Sequence, residues 1–475
     1  MNTPLLSAAM LAGLVWLALA ARYPRQVAWF VLLWIPVQGW FQLNVLNDSS
    51  TTVLIYEFQM IGIYFVLGIK ALRSPQRYGP PKEVWLAAPF VVWALMLIPY
   101  SVEANGALVT LLGLRALVLP LPLVWVGYRA FENRRELKNV ATMMMLQLPI
   151  IALVTAWQFM QYTTSSGRAF ELPLGFSDVG ILRPPGTFSA PGHLGMYVLF
   201  AVPVGIGLLG LTVNAVIRTI FSAGLVGATV ALMVNTQRAT MVLLVGVLPL
   251  MVLLARKKHA VRNVLIAFCV LGAGAAIGGR VAGQAFSARV ASISIDVQNS
   301  LINIPLERIT DSLRTPVVGG GLGIAAPGAA RVNVPLGMKL LTPAASIKPS
   351  ESFTAALIFE TGVPGFLLFV VFIATLLFRG LRALRRCRHT DLGLLAAAVV
   401  AFEVAICLQS WAYDPLHFPP SRVVFWFWAG ALLSFPRLAA TRAAVSSPSL
   451  KRTLAMPVRR LRRPPVPAAA RRSAS

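Results

Sequence analysis

Residues 352–378 read S-F-T-A-A-L-I-F-E-T-G-V-P-G-F-L-L-F-V-V-F-I-A-T-L-L-F, an apolar run with a single acid, Glu360. A helix that crosses a bilayer needs roughly 20 mostly apolar residues. Backbone amides cannot stay unpaired in hydrocarbon, so such a run has to be helical. Twelve further stretches have the same character: 5–21, 27–43, 53–69, 84–100, 107–128, 139–162, 193–211, 219–235, 239–255, 264–279, 392–412 and 423–436. The stretches 27–43 and 423–436 are short or aromatic-heavy, which sets the count at 12–13. The whole chain is 57% hydrophobic and 12% charged, with a mean hydropathy of +0.73, far from the soluble globular range. The expected fold is all-α, a polytopic membrane helix bundle.

Loop charges orient it. Thirty of the 42 Lys and Arg residues fall in alternate loops and the C-terminal tail. They include Arg22 and Arg25, Arg129 with Arg134, Arg135 and Lys138, and five arginines between Arg379 and Arg388. The opposite loops hold eleven, Arg115 lies inside a helix, and the early loops 44–52 and 101–106 hold none. The expected topology puts the N-terminus outside and the C-terminus in the cytoplasm. The first apolar segment lacks a basic flank ahead of it and reads as a helix that stays, not a cleaved signal.

The net charge of +26 does not mark a nucleic-acid binder, because it is spread over inner loops and a Pro/Arg/Ala tail, 457–475. That tail suits anionic lipid, or serves as a plain topology anchor. Cys269 and Cys407 sit in apolar segments and Cys387 in a basic inner loop, so no disulfide framework or Cys-type metal site is expected. No cofactor is implied.

Two outer loops, 163–192 and 280–350, are too long to be mere connectors. They divide the chain into N-terminal helices (1–162), core helices with a first arginine loop (163–279), a large extracytoplasmic loop between the tenth and eleventh helices (280–351), C-terminal helices (352–436) and a basic tail expected to be disordered (437–475). The second loop carries Leu301, Ile302, Ile304, Leu306, Ile309 and Leu313 at helical spacing, which predicts a short amphipathic helix. The turn-rich P-V-V-G-G-G-L-G follows at 316–323. Seven cations in this loop, among them Arg289, Arg308 and Arg314, face three acids. An anionic substrate at the outer face accounts for that excess; so does the freedom of long loops from the charge rule.

Three constellations carry the candidate chemistry. R-P-P-G-T-F-S-A-P-G-H-L-G, 183–195, forms a rigid turn into the seventh helix, whose free N–H groups favour an anion, and Arg183 adds a bidentate donor. N-T-Q-R, 235–238, is a tight hairpin that leaves Arg238 to snorkel or to meet a partner. S-E-S-F-T-A-A-L-I-F-E-T-G-V-P-G-F, 350–366, places Glu351 at the boundary and Glu360 roughly 13 Å further along the helix. Glu360 reads as a structural or cavity residue and Glu351, nearer water, as the better general base. Within the bundle, Glu57 and Arg115 are positioned for an intramembrane ion pair; separate snorkelling is the alternative.

In order and sidedness these segments resemble the O-antigen ligase and O-antigen/exopolysaccharide polymerase superfamily of bacterial membrane glycosyltransferases. The matching positions are Arg183 with Gly186, Thr187, Phe188, Pro191 and Gly192, then Arg238, then Arg308 or Arg314 ahead of Gly319, Gly321 and Gly323. Glu351, Glu360, Gly362 and Gly365 complete the pattern, which covers 183–366. The ligase branch has a histidine where this chain has Glu351, which favours polymerase over ligase, and the family's Pro-Asn turn is Pro191-Gly192 here.

The resemblance implies a GT-C-like enzyme of the bacterial inner membrane. It would move a glycan from a polyprenyl-diphosphate carrier to an acceptor sugar hydroxyl. Arg183 and Arg238 would hold the diphosphate, with Arg289, Arg308 or Arg314 adding charge and Glu351 taking the proton. No outer D-x-D occurs, so no metal is expected. Chain-length or export proteins are the expected protein partners. A non-enzymatic flippase or transporter is the rival class, expected to place charge near the midplane on interrupted helices.

Overall fold

The computed structural model describes residues 3–44, 51–164, 177–178, 181–182, 184–188, 190–209, 214–235, 237–256, 258–291, 298, 302–326 and 352–446. Helices dominate it. Extended pairing among the described residues is confined to a two-residue antiparallel bridge, Ser177–Asp178 with Ile181–Leu182. Seven helices are long and apolar enough to cross a membrane, or eight if a bent pair counts as one span. The chain is an all-α, multi-pass membrane protein.

Three of these helices form the centre. The Gly192–Leu209, Gly393–Ala412 and Pro420–Ala440 segments are 89%, 83% and 78% buried, whereas Ala260–Val281 and Phe353–Cys387 are 28% and 33% buried. The central three meet through Phe200, whose ring lies 5.0 Å from Phe402 and 5.2 Å from Trp428. The peripheral helices turn Leu153, Leu253 and Val371 outward. Water would penalise that surface; lipid does not.

Small residues set the closest approach. The Leu123–Arg129 helix crosses Pro419–Ser446 where a Cβ on Gly127 would strike the Phe427 carbonyl and one on Gly430 the Val124 carbonyl. Packing through small residues is the usual means of joining helices in hydrocarbon.

Two of the expected spans divide into separate helices, and a third, 352–378, breaks at Gly362 (φ +68°). Residues 84–100 become a 3₁₀ turn, Lys82–Ala87, then helices Ala88–Met96 and Ile98–Asn105 with a 43° bend. The 107–128 stretch divides into Ala107–Leu117 and Leu123–Arg129. Pro99, Pro120 and Pro122 lie at these breaks; each lacks an N–H and clashes with the preceding turn. Two other boundaries move outward. The helix Lys258–Ala291 carries Arg280 and Arg289 beyond the expected edge at 279, with a break at Gly283 (φ 52°). The last helix continues past 436 to Ser446. Its Pro419-Pro420 start lengthens the span that looked short.

Candidate functional site

The turn after Arg183 is fastened by hydrogen bonds to its backbone. Gln158 donates from Nε2 to the Gly186 carbonyl and accepts the Gly186 N–H, both at 2.8 Å. The Thr187 carbonyl accepts the Trp40 N–H at 2.7 Å, and Phe188 is fully buried 5.4 Å from Tyr197. Gly186 has φ +64°, and a Cβ there would lie 2.5 Å from Thr155 Oγ1.

This turn meets the N-T-Q-R hairpin. Asn235 Nδ2 donates to the Pro184 carbonyl at 2.8 Å, and the Gln237 side chain packs closely on Gly195. Pro184 follows Arg183 in the chain and Asn235 precedes Arg238 by three residues. The structure therefore brings the two arginine-bearing segments together. Arg183 itself lies outside the described residues. Arg238 opens the Arg238–Ala255 helix, and its side chain is outside the described set, as is that of Arg289.

The glycine-rich stretch also seats in the bundle. Gly319, Gly321 and Gly323 have φ of +82°, +96° and +90°. The stretch lies between the bent pair and the break at Gly362 (φ +68°) of the Phe353–Cys387 helix. The Gly320 N–H donates to the Phe359 carbonyl at 2.7 Å. Asn105 Nδ2 donates to the Gly320 carbonyl at 2.9 Å, and the Leu322 N–H to Ser101 Oγ at 2.9 Å. Glu360, fully buried, accepts the Ala325 N–H on Oε1 at 2.9 Å. Its Oε2 has no partner among the described residues.

The amphipathic helix ahead of this stretch is Ile304–Leu313. Arg308 is half-buried on it; Arg314, at its C-terminal cap, is exposed and 3.4 Å from Asp311. Glu351 lies outside the described residues. Its neighbour Ser352 caps the following helix, accepting the Ala355 N–H at 3.2 Å, and donates to the Trp411 carbonyl at 2.6 Å.

A second polar cluster adjoins Ser352, and most of it was not legible in the motifs. Glu57 Oε1 lies 2.8 Å from Arg115 Nε and 3.1 Å from Arg422 Nη2. Arg422 also donates to the carbonyls of His417 and Arg115 at 3.3 and 3.4 Å. His417 Nδ1 is 2.7 Å from Asp414 Oδ2, and its ring packs 5.0 Å from Phe353. Next to it, the Phe418 ring lies 5.1 Å from His193 in a tilted contact, which ties this segment to the first turn.

Burial alone would push the His417 imidazole toward its neutral form. The Asp414 carboxylate, by charge and hydrogen bond, and the charge of Glu360 outweigh that and Arg422's repulsion, raising its pKa. A histidine fixed at Nδ1 by a carboxylate is suited to proton transfer through Nε2. Here Nε2 is buried without a partner among the described residues. The available signal for this cluster was compositional: Asp414, His417 and Arg422 fall within nine residues of a chain with 16 acids and four histidines.

No family model matches the chain, and no curated protein matches it.

Proposed function

We propose that this protein is a polysaccharide polymerase-type glycosyltransferase of the bacterial inner membrane. It moves a glycan from a polyprenyl-diphosphate carrier to an acceptor sugar hydroxyl on the extracytoplasmic side. In this reading the bundle has 12–13 spans and a GT-C-like plan, with the N-terminus outside and the C-terminus inside. The observation that carries it is the Asn235–Pro184 hydrogen bond, which ties together the segments bearing Arg183 and Arg238.

The chemistry follows from the leaving group. The acceptor oxygen bonds to the anomeric carbon, the bond from that carbon to the diphosphate oxygen breaks, and the acceptor proton passes to Glu351. Negative charge grows on the departing diphosphate, and fixed guanidiniums from Arg183 and Arg238, with Arg289, Arg308 or Arg314, stabilise it. A positioned base contributes about 10²–10⁴-fold. The acceptor glycan, chain-length or export proteins, and anionic lipid at the basic tail are the remaining partners. The reaction proceeds without a metal; activity lost in chelator and restored by Mg²⁺ would exclude that.

A transporter of the same lipid-linked glycan is the second reading. The interrupted helices around 97, 118–122 and 362 and the buried charges of Glu57, Arg115 and Arg422 favour it. Purified protein in detergent separates the two, because only an enzyme acts without a sealed bilayer. Longer glycan and released polyprenyl diphosphate support the transferase. Lipid-linked donor that stays unchanged in detergent yet crosses sealed vesicles supports the transporter. In cells, a deletion strain with single repeat units and no ladder indicates polymerase; free polymer never joined to its anchor indicates ligase.

A further inference from the structure

The opposite end of the bundle holds a second collection of cations that the proposed reaction does not use. On the Pro419–Ser446 helix, Arg437 lies fifteen residues beyond Arg422, about 22 Å along the axis. There a cavity of about 280 Å³ is lined by Arg25, Arg77, Arg129 and Arg437, with Tyr78 and Glu132. At about 30 Å³ per water it has room for roughly nine waters, enough for a phosphate and the glycerol attached to it.

The four arginines come from four separate helices, Pro24–Asn44, Pro75–Tyr78, Leu123–Arg129 and Pro419–Ser446. Arg129 is held by its Nε and Nη2, which donate to the Gly79 carbonyl at 3.0 and 2.6 Å. Arg437 donates to the carbonyls of Tyr128 and Phe131 at 3.2 and 3.1 Å. Both guanidiniums sit 5.1 Å from the centroid of one ring, Tyr128. Carbonyls and a ring face help to orient these groups.

Among the described residues that line the cavity Glu132 is the one carboxylate, 2.7 Å from Arg25 and 3.7 Å from Arg77, and Glu136 approaches Arg25 from outside the lining at 3.3 Å. Burial is the main cause that lowers the Arg129 pKa; Tyr128 opposes it and the nearby Arg437 adds a smaller push in the same direction. Membrane orientation requires basic residues at this end, but it does not require them to share a cavity. Basic residues at the end of a membrane-spanning bundle attract anionic lipid, and guanidinium pairs with phosphate in bidentate geometry.

We infer that this pocket binds a phosphate group, carried by an anionic lipid headgroup or free in solution. The inference is independent of the reaction proposed above. Its test uses the full chain in nonionic detergent, titrated by calorimetry with dihexanoyl phosphatidic acid, with inorganic phosphate, and with dihexanoylglycerol, which lacks the phosphate.

Phosphatidic acid is expected to bind, and dihexanoylglycerol is not. Arg77→Gln should weaken binding about two- to fivefold; its side chain is 68% exposed, so the fold does not depend on it. Glu132→Gln should tighten binding by a similar factor, because Arg77 loses its competing carboxylate and Arg25 one of two. Binding of phosphatidic acid alone identifies a lipid headgroup. Equal binding by inorganic phosphate identifies a soluble source. Equal binding by dihexanoylglycerol, no binding by either phosphate probe, or unchanged affinity in both variants overturns the inference.

Discussion

Arg422 donates to Glu57 at 3.1 Å across 365 positions of sequence, and their side chains are 0% and 7% exposed. Arg115 approaches the same carboxylate oxygen, with its side chain 18% exposed. A buried charge that loses its partner costs about 3–5 kcal/mol. Glu57→Gln strands two guanidiniums, whereas Arg422→Gln and Arg115→Gln each leave Glu57 one partner, and Arg115 is the less buried of the two. Thermal unfolding in detergent should therefore rank Glu57→Gln as most damaging, Arg422→Gln next and Arg115→Gln least. A double-mutant cycle between Glu57 and Arg422 should give a coupling of about 1–3 kcal/mol. Additive losses would mean that the pair contributes no mutual stability.

The seating of the glycine-rich stretch gives a sharper stability test. A Cβ at Gly323, whose φ is +90°, would strike the Val109 carbonyl. Backbone cannot yield as a flexible side chain does, so Gly323→Ala should cost more than the roughly 1–3 kcal/mol of a positive-φ conformation alone. Gly106 supplies the comparison, with φ +84° and open space around its Cβ position. Gly68, inside the Thr51–Arg73 helix with nothing within 4 Å, should be stabilised by alanine by about 0.5–1 kcal/mol. If Gly323→Ala melts like Gly106→Ala, the stretch is not packed against the Ala107–Leu117 helix.

The membrane class was legible because apolar runs of this length leave few alternatives, and the helix at 304–313 because its apolar spacing is local. The breaks at Pro99, Pro120 and Pro122 were visible as residues, but an apolar run of continuous hydropathy hides them from a count of spans. Glu57 and Arg115 drew notice as charges inside apolar stretches. Arg422 was counted only as a loop cation, since nothing near 422 in the sequence points to residue 57. His417 was missed because its carboxylate sits three residues away in a short connector, a pattern with no periodicity to detect. The proposed catalytic residues Arg183 and Glu351 lie outside the described residues; their neighbours Pro184 and Ser352 are held by hydrogen bonds to Asn235 and Trp411.

His417 should make stability depend on pH in a definite direction. Asp414 faces it from its own connector, Glu360 from the Phe353–Cys387 helix, and Arg422 from the helix that follows. Its folded pKa lies above the ordinary value of 6.5, so folding favours the protonated ring. The resulting stability is complete below about 6.5, the unfolded value, and is lost as pH rises through the folded one. His417→Gln lacks this contribution. The melting-temperature gap between wild type and variant should be widest on the acid side and shrink as pH rises. A gap that grows toward alkaline pH would show that the neutral ring is the favoured form.

Arg238→Lys is the most direct test of the proposed transfer. Lysine keeps the charge but supplies a point donor instead of a planar fork, and a diphosphate oxygen pair is matched by the fork. Loss of one fixed donor to a growing negative charge costs on the order of 100-fold in turnover. The variant should therefore elongate glycan far more slowly in detergent while its melting temperature stays close to wild type, since the substitution leaves the hydrogen bond from Asn235 to Pro184 in place. A matched fall in melting temperature would assign Arg238 a structural role. Undiminished elongation by a well-folded variant would remove it from the diphosphate site, leaving Arg183 and the cations of the large loop to neutralise the leaving group.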